Sequence, residues 1–210
     1  MDNDAFQSHY NRCLSKLDNF QRYFDYDYKV FYGLRTTVFE ISHCLMLELY
    51  KSSITLTNYW LERLLKMALI DNEVGLKPIP IDQWNDIFEK PNKNYNSINL
   101  STTIDYCLKN SLITQPEKDF LYTVIREQIR NGFSHADSNK ILSDIPEQMS
   151  GYHGSFDGSQ ELRKVTLNQK LIPSIQSALI DDFAKNNALN YFEFVFGLMR
   201  KIEGRLKDKN

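Results

Sequence analysis

Two residues of types that can bind and react with phosphates stand five positions apart in this chain. They are Arg130 and His135, in the run Arg-Asn-Gly-Phe-Ser-His. A histidine exchanges protons near neutral pH, and an arginine stays charged and offers a fork of donors that matches phosphate oxygens. An RNA phosphodiester carries its own nucleophile, the adjacent 2′-hydroxyl, so its cleavage needs a proton acceptor, a proton donor and charge stabilisation, but no metal. Asn131 is the candidate to orient the phosphate or a ribose hydroxyl.

The chain must bend for these side chains to act together. On an unbroken α-helix, residues five apart point about 140° away from each other. Asn131-Gly132 is a turn or helix-end signal, because glycine permits positive φ and asparagine tolerates it. The sequence therefore predicts a break at this dipeptide. The alternative is a surface arginine at a helix end, followed by a histidine that satisfies a local carbonyl.

A helix is predicted immediately before Arg130. Thr114 can cap its start, Glu117 stands at the capping-box position, and Pro116 is tolerated in the first turn. The predicted buried face comprises Phe120, Leu121, Val124, Ile125 and Ile129.

The rest of the sequence predicts a largely helical chain. Apolar periodicity predicts helices over 4–24, 30–70, 82–89, 100–109 and 177–206. The segment 30–70 is predicted to be two helices or one bent helix, with any break near Lys51-Ser52-Ser53. Prolines predict loops over 77–80 and 90–94. Glycines and strand-like residues predict a small β-hairpin over 150–172. We expect an all-α bundle of long antiparallel helices with this hairpin inserted, in a single domain over 1–210: an extra N-terminal helix over 1–25 and the bundle over 30–206.

Composition limits the functional classes. The 13 Phe and 12 Tyr against only 8 Gly favour helices with bulky packing faces, and the net charge of −2 gives no whole-molecule basic surface, so RNA would bind at a local patch. The three cysteines form no Cys-x-x-Cys pair, which signals neither a disulfide framework nor a metal site. With no predicted secretion signal or membrane span, we expect a cytoplasmic protein without cofactors.

The chain resembles the higher eukaryotes and prokaryotes nucleotide-binding (HEPN) domain family. Members are small α-helical bundles with an Arg-x4-6-His motif after a long helix, and a polar residue such as Asn131 usually follows the arginine. A second family element is an acidic residue followed four positions later by a basic one on an earlier helix. Glu62 and Lys66 match it. The resemblance spans about 30–206 in order and periodicity.

The resemblance implies a metal-independent endoribonuclease in which a homodimer brings two Arg/His sets to one cleft. By position, His135 would be the acid or base, Arg130 the phosphate stabiliser and Asn131 the orienter, with Glu62 and Lys66 in support. The implied setting is stress response, phage defence or toxin-antitoxin control, with an antitoxin or regulatory protein as a further partner. Many family toxins carry a tyrosine two residues after the histidine, which a partner enzyme modifies. Asp137 stands there instead, so this control is not implied.

Other residues and other functions stay open. Arg126 and His153 are candidate RNA contacts, although Arg126 fits an ordinary ion pair and His153 an exposed turn. The basic residues after Met199 suit a helix C-terminus first and an RNA-contacting strip second. The alternative function is a non-catalytic module of the same fold that binds RNA, a nucleotide or a protein, and a third is a structural helical dimer with an aromatic interface.

Overall fold

Two long helices, α4 (Tyr50–Val74) and α10 (Pro173–Lys209), pack against each other at the centre of the fold. The computed structural model describes residues 3–134, 137–155 and 161–209. The other helices are α1 Asn3–Leu14, α2 Leu17–Phe24, α3 Arg35–Met46, α5 Trp84–Tyr95, α6 Leu100–Lys109, α7 Gln115–Phe120, α8 Asn131–Ser134 and α9 Ser138–Ile141. A π-helix over Leu121–Arg130 joins α7 to α8, and short 3-10 turns occupy Tyr32–Leu34 and Ile81–Gln83.

The hydrophobic core is built mainly by α4 and α10. Trp60 and Phe192 are fully buried, with ring centroids 5.6 Å apart. Helices α3, α5 and α6 pack around α4. Phe20 and Tyr23 of α2 belong to the same core, so the N-terminal segment packs on the bundle. Each such side chain contributes roughly 1.5–3 kcal/mol through burial.

The single helix predicted over 4–24 was wrong, whereas the two-helix alternative for 30–70 is confirmed, with its break slightly earlier than predicted. Residues 4–24 form two helices that separate at Ser15 and Lys16, where the Lys16 amide donates to the Cys13 carbonyl at 3.0 Å. The break within 30–70 lies before Lys51, because Glu48 adopts a left-handed φ of 60° and the Leu49 amide reaches back to the Cys44 carbonyl at 2.8 Å. This closure ends α3 and lets α4 start at Tyr50.

The loop predicted over 90–94 was also wrong, because Pro91 lies inside α5. Proline lacks an amide hydrogen and leaves a helix carbonyl without its usual donor. Its ring is buried and α5 packs against α4. This packing offsets the local cost, so tertiary contacts overrode the proline signal.

The predicted hairpin is present. Strands β1 (Gln148–His153) and β2 (Arg163–Asn168) pair antiparallel, with Gln148 opposite Asn168 and His153 opposite Arg163. The described chain is thus mostly helical with one small two-stranded sheet, as expected at the level of fold class. Among the described helices, none is both long enough and apolar enough to cross a membrane.

Candidate active site

The helix that carries Arg130 begins with the predicted capping box. The Thr114 hydroxyl accepts a hydrogen bond from the Glu117 amide, and the Glu117 carboxylate accepts one from the Thr114 amide at 2.8 Å. The same carboxylate receives two hydrogen bonds from Arg205 of α10, at 2.7 and 3.1 Å. Glu117 therefore both starts the helix and ties it to α10.

The helix then widens rather than continuing as a regular α-helix. Leu121–Arg130 is π-helical, a form that is rare and occurs frequently at functional sites. Leu121, Ile125 and Ile129 are buried as predicted, whereas Phe120 is 39% exposed beside Phe194. Arg130 is the last residue of this π-helix.

The break predicted at Asn131-Gly132 was wrong. Both residues belong to α8, and Gly132 is not among the residues with positive φ. Its role is close packing, because a Cβ at this position would collide with Cγ1 of the buried Ile141 and lie 3.2 Å from its Cδ1. The sequence signal was real, but it marks the approach of α9 rather than a turn.

Arg130 forms an ion pair with Glu62 of α4. Its Nε donates to Oε1 of Glu62 at 3.1 Å, and each side chain is 29% exposed. The two residues are 68 positions apart, so the contact is purely tertiary. A hydrogen bond at Nε fixes the plane of a guanidinium, whose remaining donors lie on its other edges. The geometry therefore sets the direction of the Arg130 fork.

The carboxylate of Glu62 also acts on a buried polar pair that the sequence analysis missed. The Tyr191 hydroxyl of α10 donates to Oδ1 of Asn58 at 2.8 Å, and Asn58 lies one turn before Glu62 on α4. Burial, followed by the negative charge of Glu62, raises the pKa of Tyr191 well above its ordinary value. The tyrosine stays protonated and remains a donor. Asn58 and Tyr191 are 133 positions apart, and their one sequence signal is a polar residue on an apolar helix face.

Lys66 does not pair with Glu62. Its Nζ donates to the backbone carbonyl of Asn96 at 2.9 Å, while Arg63 donates to the Asn96 side chain at 3.3 Å. Among the described ion pairs, that of Glu62 is with Arg130. The i,i+4 arrangement of Glu62 and Lys66 thus serves two different contacts, and Lys66 supports the end of α5.

Arg126 lies one turn before Arg130 over the ring of Tyr122, at 5.5 Å from its centroid. Lys118 also lies over this ring at 5.4 Å and forms an ion pair with Asp105 at 2.6 Å. The hydrogen bond from Lys118 is the main cause that lowers the pKa of Asp105. Cationic and aromatic side chains thus follow one side of the helix toward Arg130.

The other predicted site residues are only partly described. His135 lies outside the described residues, and Asn131 is described as the first residue of α8. The Asp137 amide donates to the Gly132 carbonyl at 2.9 Å. His153 is exposed on β1, opposite Arg163. The structure therefore joins Arg130 to Glu62 and places Lys66, Arg126 and His153 in contacts of their own.

Within residues 3–134, 137–155 and 161–209, no group of three or more His, Cys, Asp or Glu side chains is placed to hold a metal ion. Comparison of the chain with models of known protein families, with curated proteins and with solved structures finds no match.

Proposed function

We propose that this chain is a metal-independent endoribonuclease of HEPN type that acts as a homodimer. The observation that carries the proposal is the ion pair between Arg130 and Glu62. An acidic residue on an earlier helix orients the arginine of an Arg-x4-His sequence, at the end of a helix that is π-helical up to that arginine. Arg130 would then present its fork to a phosphate oxygen.

The reaction follows from the residue types. The RNA 2′-hydroxyl attacks the adjacent phosphorus and loses its proton to a histidine, the 2′-O–P bond forms, and the P–O5′ bond breaks. A second histidine protonates the departing 5′-oxygen, which is why two copies of His135 in one cleft suit the chemistry. Arg130 stabilises the charge that develops on the phosphate, and Asn131 orients it. The products end in a 2′,3′-cyclic phosphate and a 5′-hydroxyl.

The function would serve stress response, phage defence or toxin-antitoxin control in the cytoplasm, with an antitoxin or another protein as regulator. The rival is a module that binds RNA, a nucleotide or a protein without catalysis. One observation favours it: a half-buried Arg130–Glu62 pair also suits a purely structural role. The rival predicts that the unmodified protein does not cleave RNA, and that Arg130→Ala only lowers the free energy of unfolding.

The test is RNA cleavage by the purified protein in EDTA. We expect His135→Ala to lower the rate by about 10²–10⁴ and Arg130→Ala by about 10²–10³. Glu62→Gln keeps a hydrogen-bond acceptor for Arg130 but removes the negative charge at position 62. The cleavage rate should therefore fall by a smaller factor, about tenfold. Arg35→Ala, at an exposed position at the start of α3, is the matched control and should cleave as the unmodified protein does.

The product ends and the assembly state complete the test. Mass spectrometry should find 2′,3′-cyclic phosphate ends, and an excess of His135→Ala protein mixed with the unmodified protein should lower its activity if the two sets share a cleft, because a mixed dimer keeps only one of the two histidines. Intact RNA, or cleavage unchanged by His135→Ala, would contradict the catalytic proposal and favour the non-catalytic binding module.

A further inference from the structure

A basic groove lies along the last turns of α10, away from Arg130. It has a volume of about 540 Å³ and runs between α10 and the segment that follows α2. Four cationic side chains line it: Lys29, Arg200, Lys201 and Lys207. Glu203 is the one carboxylate among its lining residues. The sequence indicated the basic end of α10, but only the fold shows that it faces a groove.

The Glu203 carboxylate is already compensated by hydrogen bonds. Its side chain belongs to a residue that is 2% exposed, and it accepts bonds from the Val30 amide at 2.8 Å, the Phe31 amide at 3.1 Å and the Tyr26 hydroxyl at 2.7 Å. These donors offset its charge and hold the chain after α2 against α10. The surface of the groove is therefore dominated by cations.

The cations keep much of their surface accessible. Lys201 remains 62% exposed although it pairs with Glu117 at 3.2 Å, and Lys29 remains 50% exposed although it forms an ion pair with Asp27. Arg200 lies 5.9 Å from the ring centroid of Tyr26, a half-buried residue that also lines the groove. A positive groove matches the backbone of a single RNA strand.

Two glycines of α10 keep this groove open. Gly197 and Gly204 lie seven residues apart, and a Cβ built at either meets no described atom within 4 Å beyond the local helix backbone. Glycine in the middle of a helix is destabilising relative to alanine. Packing within the described chain does not require these glycines, whereas close approach of a ligand to the helix backbone does.

The groove lies next to the side of α10 that the helix of Arg130 covers. This helix runs antiparallel to α10, since Glu117 contacts Arg205 and the Phe133 ring lies 6.0 Å from that of Phe183. On a straight helix, Gly197 and Gly204 fall about 40° and 60° from Phe183, and Arg200 and Lys207 fall about 100° and 120° from it on the same side. The 17 residues from Phe183 to Arg200 span about 25 Å.

We propose that this groove is a second docking site for the RNA substrate, which holds the sugar-phosphate backbone of a segment several nucleotides away from the cleaved bond. The proposal rests on the proposed function for the identity of the ligand. Arg200 and Lys207 contact phosphates, and Gly197 and Gly204 let the strand lie against α10. Short RNA occupies the Arg130 site alone, and longer RNA occupies both.

Binding is measured by the fluorescence anisotropy of a labelled 20-nucleotide RNA, with His135→Ala protein so that no cleavage interferes. Two variants on this background remove the groove in different ways. Arg200→Glu with Lys207→Glu reverses two charges, and Gly204→Leu fills the groove without a change in charge. The matched controls are Lys90→Glu with Lys93→Glu on the exposed face of α5, and Asn94→Leu on the same helix, which adds an apolar side chain without a change in charge.

We expect both groove variants to weaken binding at least tenfold and both controls to stay within about twofold. The charge reversal should also reduce the slope of log affinity against log salt by about 1.4, the value for two lost contacts to a single strand. Groove variants that bind like their controls would overturn the proposal. An acidic peptide that displaces the RNA with equal potency would reassign the groove to a protein partner.

Cleavage of two RNA lengths separates this proposal from the proposed function. With an active His135, Gly204→Leu should slow the cleavage of the 20-nucleotide RNA but not that of a 4-nucleotide RNA, which cannot reach the groove. If neither RNA is cut by the unmodified protein, the catalytic proposal fails while the anisotropy result still decides the groove. Equal slowing of both lengths would contradict a distant docking site.

Discussion

The charges of individual side chains depend on what the fold places around them. The Arg130 guanidinium is oriented by Glu62, and the Tyr191 hydroxyl is kept protonated by burial and by the same carboxylate. Near the other end of α4, burial raises the pKa of Asp71 to about 6. An aspartate in solution is already ionised well below that pH. At neutral pH the buried, ionised Asp71 therefore lowers the stability of the folded protein.

Replacement of Asp71 by asparagine should therefore stabilise the protein at pH 7, by roughly 1–3 kcal/mol. Because the pKa of Asp71 is higher in the folded protein, the unfolded chain loses this proton first as the pH rises. The free energy of unfolding of the unmodified protein therefore falls between about pH 4 and pH 6. The gain in the free energy of unfolding from Asp71→Asn should be absent below pH 4, increase between pH 4 and pH 6, and stay constant above pH 6. Urea unfolding at pH 3.5, 5 and 7 measures it, and an advantage that is equal at all three values would contradict the assignment.

Packing between helices decides what each glycine does. Gly132 sits where α9 crosses the helix of Arg130, and Gly204 sits on the open face of α10. The two residues share a type and a helical setting. They differ only in what lies above the helix, so the same substitution should change stability in opposite directions.

We expect Gly132→Ala to destabilise the protein by about 1–3 kcal/mol, because the new methyl group would displace the buried Ile141. Gly204→Ala should stabilise it by about 0.5–1 kcal/mol, since alanine favours a helix and meets open space. Thermal unfolding of the two variants beside the unmodified protein gives the comparison. A stabilising Gly132→Ala would show that the approach of α9 is looser than described.

At the scale of the whole molecule, Glu117 links the start of the Arg130 helix to the end of α10, 88 residues away. Burial alone would raise its pKa, but hydrogen bonds from Arg205, the Thr114 amide and Lys201 outweigh it and lower the pKa to about 2. The carboxylate is therefore charged throughout the ordinary pH range. It fixes the relative position of two helices that line the proposed sites.

Glu117→Gln should lower the free energy of unfolding at pH 7 by about 2–3 kcal/mol, because it leaves two cations without their carboxylate. The folded pKa is depressed, so the stabilisation is complete above about pH 4.5 and is lost as the pH falls toward 2. The difference between the variant and the unmodified protein should shrink over that window. Glu89→Gln removes the exposed pair with Lys93 and should change stability by less than about 0.5 kcal/mol at any pH. A constant effect of Glu117→Gln from pH 7 to 2 would contradict the ionic origin.

Local patterns in the sequence were sufficient for the features that depend on neighbouring residues. Apolar periodicity predicted the helical class and most of the helices. The capping box of Thr114 and Glu117 was predicted residue by residue, and glycines together with strand-like residues predicted the position of the hairpin. These signals act over a few positions, because a helical face, a cap or a turn is formed by residues close together in the chain.

Only the tertiary structure decided the features that join distant residues. Glu62, which pairs with Arg130, is 68 positions away from it in the chain. The helix continues through Asn131-Gly132 because α9 packs there, and Pro91 stays helical because its ring is buried. The sequence by itself determined which residues are candidates for phosphate chemistry, and it predicted that Arg130 follows a long helix that begins at the capping box. The fold determined which carboxylate orients Arg130 and where the basic end of α10 borders a groove. Both features depend on packing between helices that are far apart in the sequence, which local sequence patterns do not predict.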